Sequence, residues 1–251
     1  MPSTATTPQD MFNGRVLVIT GAGVSAESGI PTFRGKDGYW RNLDPTKLAT
    51  PEAFAHDPNL VWDWYRERRQ RIRTAQPNPA HRAIANLAER AREFLLVTQN
   101  VDDLHRRAGL PSEKIVQIHG DIFITHCSRC DFRRQEDDQH DDSSLPKCPE
   151  CGAFMRPGVV WFGEQLDLAK ISIVENFVTA DDCDLVIVAG TTALFGYITD
   201  WALRARGRTG QLIEVNPEET SLSQFATKSF REPAGVALPR LVHELLSNVS
   251  A

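Results

Sequence analysis

Five short apolar runs, residues 16–20, 94–98, 115–118, 185–189 and 212–215, are spaced through this chain with helix-like stretches between them. Runs that are apolar throughout, with no polar alternation, are strands buried on both faces, as in a parallel sheet covered by helices on each side. Each run ends in small, polar or titratable residues: Gly21, Gln99-Asn100, His119-Gly120, Gly190-Thr191-Thr192 and Asn216. Ligands of open α/β sheets bind beyond the carboxyl ends of the strands, so these clusters are expected to converge on one crevice. The expected fold class is α/β, a Rossmann-type parallel sheet with helices on both faces and a smaller zinc-ribbon and helical domain inserted in it.

Two stretches break the alternation. Residues 35–76 are helical in character and rich in Trp, Tyr and Arg, and residues 121–157 carry paired cysteines. The expected division is residues 11–34, 77–120 and 158–251 for the sheet domain, and 35–76 with 121–157 for the small one. A chain of 251 residues is long enough for both. Residues 135–144, acidic and Ser-containing, read as a solvated loop. With 28 basic and 33 acidic residues the net charge is -5, which leaves no basic footprint, so no specific nucleic-acid partner is expected. No apolar segment reaches the length of a membrane span, and residues 1–10 lack a basic-then-apolar leader pattern. A cytoplasmic protein without membrane association, and a monomer, is expected.

The first run leads into Gly21-Ala22-Gly23, followed by Ser25, Pro31, Phe33 and Arg34. Glycines let the backbone turn tightly against a pyrophosphate, and the start of the next helix offers N–H groups. Gly21, Gly23 and Ala26 meet only the loose form of the dinucleotide fingerprint, which ordinary strand-to-helix turns also meet. A ring and a guanidinium so soon after that turn point to chemistry on the dinucleotide rather than storage of it.

Cys127-x-x-Cys130 and Cys148-x-x-Cys151, with seventeen residues between the pairs, have zinc-ribbon spacing. Four thiolates close a tetrahedron and leave no position for water, so one structural Zn2+ is expected. A redox pair, buried free thiols or a zinc deaminase fits the matched spacing less well. Cys183 is left over as a small core residue.

Taken in order, Gly21-Ala22-Gly23 to Phe33-Arg34, Thr98-Gln99-Asn100-Val101-Asp102, His119-Gly120-Asp121, the cysteine pairs, Val160-Trp161-Phe162-Gly163-Glu164, Gly190-Thr191-Thr192 and Asn216 resemble the sirtuins, NAD-dependent protein lysine deacylases, over residues 15–245. The resemblance implies NAD bound by Gly21, Ala22, Gly23, Phe33, Arg34, Gln99, Asn100, Asp102, Gly190, Thr191, Thr192, Asn216, Glu218 and Ala234, with nicotinamide near Ala22, Ile30, Asn100 and Asp102. It implies attack of the acyl oxygen of an acyl-lysine protein on the nicotinamide ribose. His119 would be the general base, suited to this at an ordinary imidazole pKa of ~6.5, and Phe33 would exclude water. Val160, Trp161, Phe162, Gly163 and Glu164 would be an edge segment pairing with the substrate peptide. After Thr192 the pattern departs from the family: Ala193 to Ile198 stand where a Val and then Pro-Ala are usual.

Tyr65 and Arg68, at i and i+3 of a helical stretch, share a face and resemble the Tyr-x-x-Arg pair of desuccinylase-like sirtuins. A guanidinium beside a phenol suits a terminal carboxylate, so succinyl, malonyl or glutaryl lysine is expected to be preferred and acetyl-lysine to react more slowly. The other reading of this Arg-rich helix is a solvated basic face. Plain deacetylation, protein mono-ADP-ribosylation at the same NAD site, a dehydrogenase and a catalytically silent NAD-binding protein are the competing functions.

Overall fold

The computed structural model describes residues 12–32, 44–135 and 144–247. The chain runs through β1 (Phe12–Thr20), the single turn α1 (Gly23–Ala26), and the helices α2 (Pro45–Leu48), α3 (Pro51–His56), α4 (Pro58–Thr74) and α5 (Pro79–Arg90). It continues through β2 (Ala91–Thr98), α6 (Leu104–Arg107), β3 (Ile115–Gln117), β4 (Gly120–Cys127), β5 (Arg133–Gln135) and β6 (Met155–Val159). It ends in α7 (Leu168–Ala180), β7 (Leu185–Ala189), α8 (Gly196–Arg206), β8 (Gln211–Val215), β9 (Lys228–Phe230) and α9 (Ala234–Ser247). Four helix starts share one device, a capping side chain followed by proline. Asp44, Thr50, Asp57 and Asn78 each accept a first-turn backbone N–H, and proline at the first helical position has no N–H to leave orphaned.

The large sheet is parallel, in the order β3-β2-β1-β7-β8-β9. The chain winds outward from β1 to β3, then returns to the other side of β1 and winds outward again, so the order reverses between β1 and β7. Such a reversal opens a crevice at the strand ends. All five expected runs are strands here. The edge strand β9 was not expected, because Lys-Ser-Phe carries no apolar run to announce it.

Both faces of the sheet are buried, which is why its strands read as unbroken apolar runs. Val16 and Val18 pack with Leu96, Ile187 and Ile213 under α5 and α9, while Leu17 and Ile19 pack with Val97, Val186 and Leu212 under α7 and α8.

The antiparallel sheet β5-β4-β6 packs with α4 around a third core of Phe54, Trp62, Trp64, Tyr65, Ile122 and Trp161. The Trp62 indole donates to the Met155 carbonyl at 2.9 Å. Arg69, only 1% exposed, donates to the Ile122 carbonyl at 2.7 Å and the Thr125 hydroxyl at 2.9 Å. The arginines of α4 are therefore not one solvated face: Arg69 braces the sheet, whereas Arg66 and Arg71 pair with Asp63 and Glu67 near the surface.

Residues 160–164, expected as an extended edge, form a tight turn after β6. Gly163 has φ 88°, and the Glu164 amide donates back to the Trp161 carbonyl at 3.0 Å. A left-handed glycine and a closed turn end the extended backbone. Among the described residues no helix is long and apolar enough to cross a membrane.

Gly190, with φ 61°, lies where β7 leaves the sheet, and a Cβ there would stand 2.4 Å from the Val24 amide nitrogen. Gly190→Ala is expected to cost about 3 kcal/mol or more, lowering the thermal midpoint by roughly 6–12 °C. Gly196→Ala, in open space at ordinary φ, should stay within about 0.5 kcal/mol; calorimetry of the two variants checks both values.

Candidate active site

The carboxyl ends of the parallel strands lie on one row. Thr20 is in register with Thr98 and Ala189, Thr98 with Gln117, Ala189 with Val215 and Val215 with Phe230. The residues that follow each end therefore share a rim above a cleft of about 860 Å3 that reaches down to α4, a size suited to one organic ligand and part of a second. Gly21, Ala22, Gly23, Gln99, Asn100, Asp102, His119, Gly190, Thr191, Thr192, Asn216, Glu218 and Ala234 all line it, as do Tyr65, Arg68, Val160, Trp161, Phe162, Gly163 and Glu164. Phe33 and Arg34 lie outside the described residues.

The glycine turn differs from expectation in its hydrogen bonding. The Gly21 amide donates to the Ala189 carbonyl at 3.1 Å and the Gly23 amide to the Gly190 carbonyl at 2.8 Å, while Val24 and Ser25 donate to Gly21 and Ala22. The two glycine amides weld β1 to β7 and the other two close the turn, so none of these four is a free donor. Glycine serves contact here: a Cβ at Gly23 would stand 2.8 Å from the Gly190 Cα, and one at Gly21 2.7 Å from the Thr191 Cβ.

Behind the turn lies a buried polar network that sequence reading did not assemble. Ser25, 1% exposed, donates to Asp102 at 2.9 Å and accepts from the Asn100 amide group at 3.0 Å. Asp102 also accepts from the Leu104 amide, at 3.1 Å. Burial raises its pKa above the usual carboxylate value, against the Leu104 and Ser25 hydrogen bonds that lower it. His81 and His105 stand with ring centroids 4.8 Å apart, and burial pushes His81 down to about 4 and His105 well below its ordinary value. Ser25 sits in the expected motif, but its partners are remote in sequence and no local signal pairs them.

His119 follows β3. Its Nδ1 lies 3.1 Å from the Gln99 carbonyl and its Nε2 2.7 Å from the Tyr197 hydroxyl. A carbonyl only accepts, so Nδ1 carries the proton and Nε2 presents a lone pair to the cleft. Burial pushes the pKa to about 4; the Gln99 carbonyl raises it and Lys170 lowers it further. The expected ordinary imidazole is thus corrected to a buried one, neutral throughout the physiological range. The Gln99 side chain donates to the Thr191 hydroxyl at 2.9 Å and so joins the second strand end to the fourth.

At the α4 end, Tyr65 is 3% exposed and its hydroxyl accepts from the Trp161 indole at 2.9 Å. Burial pushes its pKa up to about 12, so it keeps a proton to donate. The Arg68 guanidinium lies 5.1 Å from the Trp64 ring centroid. Burial lowers its pKa, while Tyr65 and Asp102 act the other way.

Of the segment after β6, the Val160 amide donates to the His119 carbonyl at 2.8 Å and the Phe162 amide to the Ala49 carbonyl at 2.9 Å. Glu164 is engaged by Arg156 at 2.5 and 2.8 Å and by the Trp161 amide at 2.8 Å. Burial raises its pKa, but these donors outweigh that and hold it low. Glu164 lines the cleft with its carboxylate bound to the turn itself.

Cys127, Cys130, Cys148 and Cys151 stand apart from the cleft, with their sulfurs within 4.8 Å of one another. A Zn–S bond of about 2.3 Å in a tetrahedron separates its sulfurs by about 3.8 Å, and the Cys127–Cys151 and Cys130–Cys148 pairs lie at 3.4 and 3.5 Å. The Arg129 and Cys130 amides both donate to the Cys127 sulfur, as backbone amides do around a metal-ligating sulfur. The donor set fits a closed four-sulfur zinc site.

The Sir2 family signature matches residues 21–195. An NAD-dependent protein deacylase of Aquifex aeolicus (strain VF5) is 43% identical over 231 residues, covering 92% of this chain and 95% of that protein. A Sir2 homologue solved as an NAD complex superposes with a TM-score of 0.86 at 42% identity, covering 94% of this chain and 91% of that one. A mutant Sir2 homologue bound to 2'-O-acetyl ADP ribose superposes with a TM-score of 0.87 at 43% identity, covering 95% and 94%.

The purified protein is expected to carry one zinc per chain by atomic absorption. Cys148→Ser should lose it together with a large part of the thermal stability of the β4–β6 module; full stability after complete chelation would remove the structural role.

Proposed function

The chain belongs to the Sir2 family, and on that premise we propose that it is an NAD-dependent protein lysine deacylase that prefers negatively charged acyl groups and releases nicotinamide and O-acyl-ADP-ribose. The observation that carries the reading is a single cleft in which a neutral imidazole nitrogen, a buried Ser25–Asn100–Asp102 network and the Tyr65–Arg68 pair are brought together. The deacylase, the NAD complex and the acetyl ADP-ribose complex among its relatives support the reaction class.

In this reading the chain divides into a sheet domain and a small domain, with NAD lying along the rim. Gly21, Ala22 and Gly23 bring the backbone close, Gln99, Gly190, Thr191 and Thr192 line the strand ends, and Asn216, Glu218 and Ala234 lie at the far end. Asn100 and Asp102 face the nicotinamide, with Phe33 and Arg34 assigned to the same cofactor. When bound, NAD supplies a ribose carbon made electrophilic by a pyridine leaving group. The chain's task is then to hold that carbon against an acyl oxygen, exclude water and take one proton. Nε2 of His119 is the acceptor: it is unprotonated at neutral pH, and the Gln99 carbonyl holds the ring in that tautomer. The turn of Val160, Trp161, Phe162, Gly163 and Glu164 borders the acyl-lysine peptide. The enzyme is read as a cytoplasmic monomer.

Tyr65 and Arg68 at the inner end set the acyl preference. The phenol retains its donor and the guanidinium its charge, so a terminal carboxylate can be bound by both. An acetyl group cannot.

Incubation with NAD and matched succinylated and acetylated peptides, read by mass spectrometry, tests the reading. His119→Ala should abolish both activities. Arg68→Met should lower desuccinylation kcat/KM by roughly 10- to 100-fold, the worth of a charge-assisted pair, while sparing deacetylation; equal losses would assign Arg68 to the fold or the cofactor, and ADP-ribosylated protein without deacylated peptide would favour the transferase alternative. A base with a pKa of about 4 must be unprotonated to act, so kcat/KM should fall only below about pH 5 and be level across the neutral range. An acid limb near ~6.5, the ordinary imidazole value, would mean that His119 titrates as a solvated group.

A further inference from the structure

The segment between β7 and α8 covers the base. Ala193 is buried at φ 51°, a left-handed conformation uncommon outside glycine, and it is held by its amide to the Thr191 hydroxyl at 3.3 Å and by the Ser221 hydroxyl to its carbonyl at 3.2 Å. Beyond this turn the Phe195 and Tyr197 rings stack 5.5 Å apart at 14°, and Tyr197 leans on Trp201 at 5.0 Å. Phe195 meets His119 edge-on at 5.7 Å. The Tyr197 hydroxyl, 2.7 Å from Nε2, is the donor in that pair, because the proton of the imidazole is already given to Gln99. Burial pushes the phenol up to about 12, so it keeps its proton. Nε2 has one lone pair, and one lone pair takes one hydrogen. A sugar hydroxyl that gives its proton to His119 must first take the place of the phenol.

We propose that Tyr197 is a positioning residue for the base: its hydroxyl holds Nε2 of His119 and yields that nitrogen to a ribose hydroxyl of the incoming nucleotide, so that cofactor binding and uncovering of the base are one event. The proposal rests on the reading of His119 as the base. Only hydrogen bonds exchange, and the phenol keeps its proton throughout. Three rings, Phe195, Tyr197 and Trp201, fix where the hydroxyl lies when it is engaged.

Tyr197→Phe keeps this stack and deletes the donor. A neutral hydrogen bond that no longer has to be broken should tighten ADP-ribose binding by calorimetry roughly two- to tenfold, and lower KM for NAD by a similar factor with kcat unchanged. A fall in kcat at constant KM would make the phenol part of proton transfer and overturn the proposal. Unchanged or weakened ADP-ribose binding would overturn it as well. The wild-type enzyme carries a second test that needs no variant. The chain has three tyrosines, so labelling their ring carbons resolves Tyr197, and saturating ADP-ribose should shift its hydroxyl-bearing carbon; a resonance that does not move overturns the proposal. Turnover that survived His119→Ala would strike the assignment of the base, whereas these binding and resonance measurements strike the role of Tyr197 alone.

Discussion

The docking of two glycine turns at the centre of the sheet is the contact on which the rest depends. Gly21 and Gly23 give their amides to the carbonyls of Ala189 and Gly190 and lie so close to β7 that neither Gly23 nor Gly190 has room for a methyl group. That weld aligns the carboxyl ends of β1 and β7, and the parallel ladders carry the alignment outward to β3 and β9. The rim, and so the spacing among Gln99, His119, Thr191 and Asn216, follows first from backbone register, to which the Gln99–Thr191 hydrogen bond adds.

Within that frame the cleft is organised by burial. Asp102 is pushed up and His119, His81 and His105 are pushed down, each because water is absent around it. The consequence is a set of neutral imidazoles tied by directed hydrogen bonds, with charge at Arg68 in the inner end and at Glu164 on the turn after β6. Neutrality keeps Nε2 of His119 available as an acceptor, and the low dielectric makes each hydrogen bond to it more selective. The cysteine cluster contributes at a distance: it closes the sheet on which α4 lies, and α4 carries Tyr65 and Arg68.

How much could be read beforehand varied from element to element for physical reasons. Apolar runs announce strands, so the four central strands and the edge strand β3 were legible, while the other edge strand β9, whose Lys-Ser-Phe carries no such run, was not. That Tyr65 and Arg68 lie on one side of α4, both lining the cleft, was legible because helical spacing is local. Residues 160–164 misled, since a Val-Trp-Phe run reads as extended chain, whereas Gly163 and the Arg156–Glu164 pair close it into a turn. The alternative reading of the α4 arginines as one solvated face could be settled only by packing, which ties Arg69 to β4 and separates it from its neighbours.

The sequence by itself determined the α/β class, the inserted cysteine module and the residue types at the strand ends, because periodicity, ligand spacing and glycine turns are properties of short stretches of chain. Only the tertiary structure decided the pKa of His119, the commitment of the glycine amides to β7, the Ser25 network and the hydrogen bond from Tyr197 to His119. Each of these depends on which groups meet across a separation of many residues, and on how much water remains between them, quantities that no local window of sequence contains.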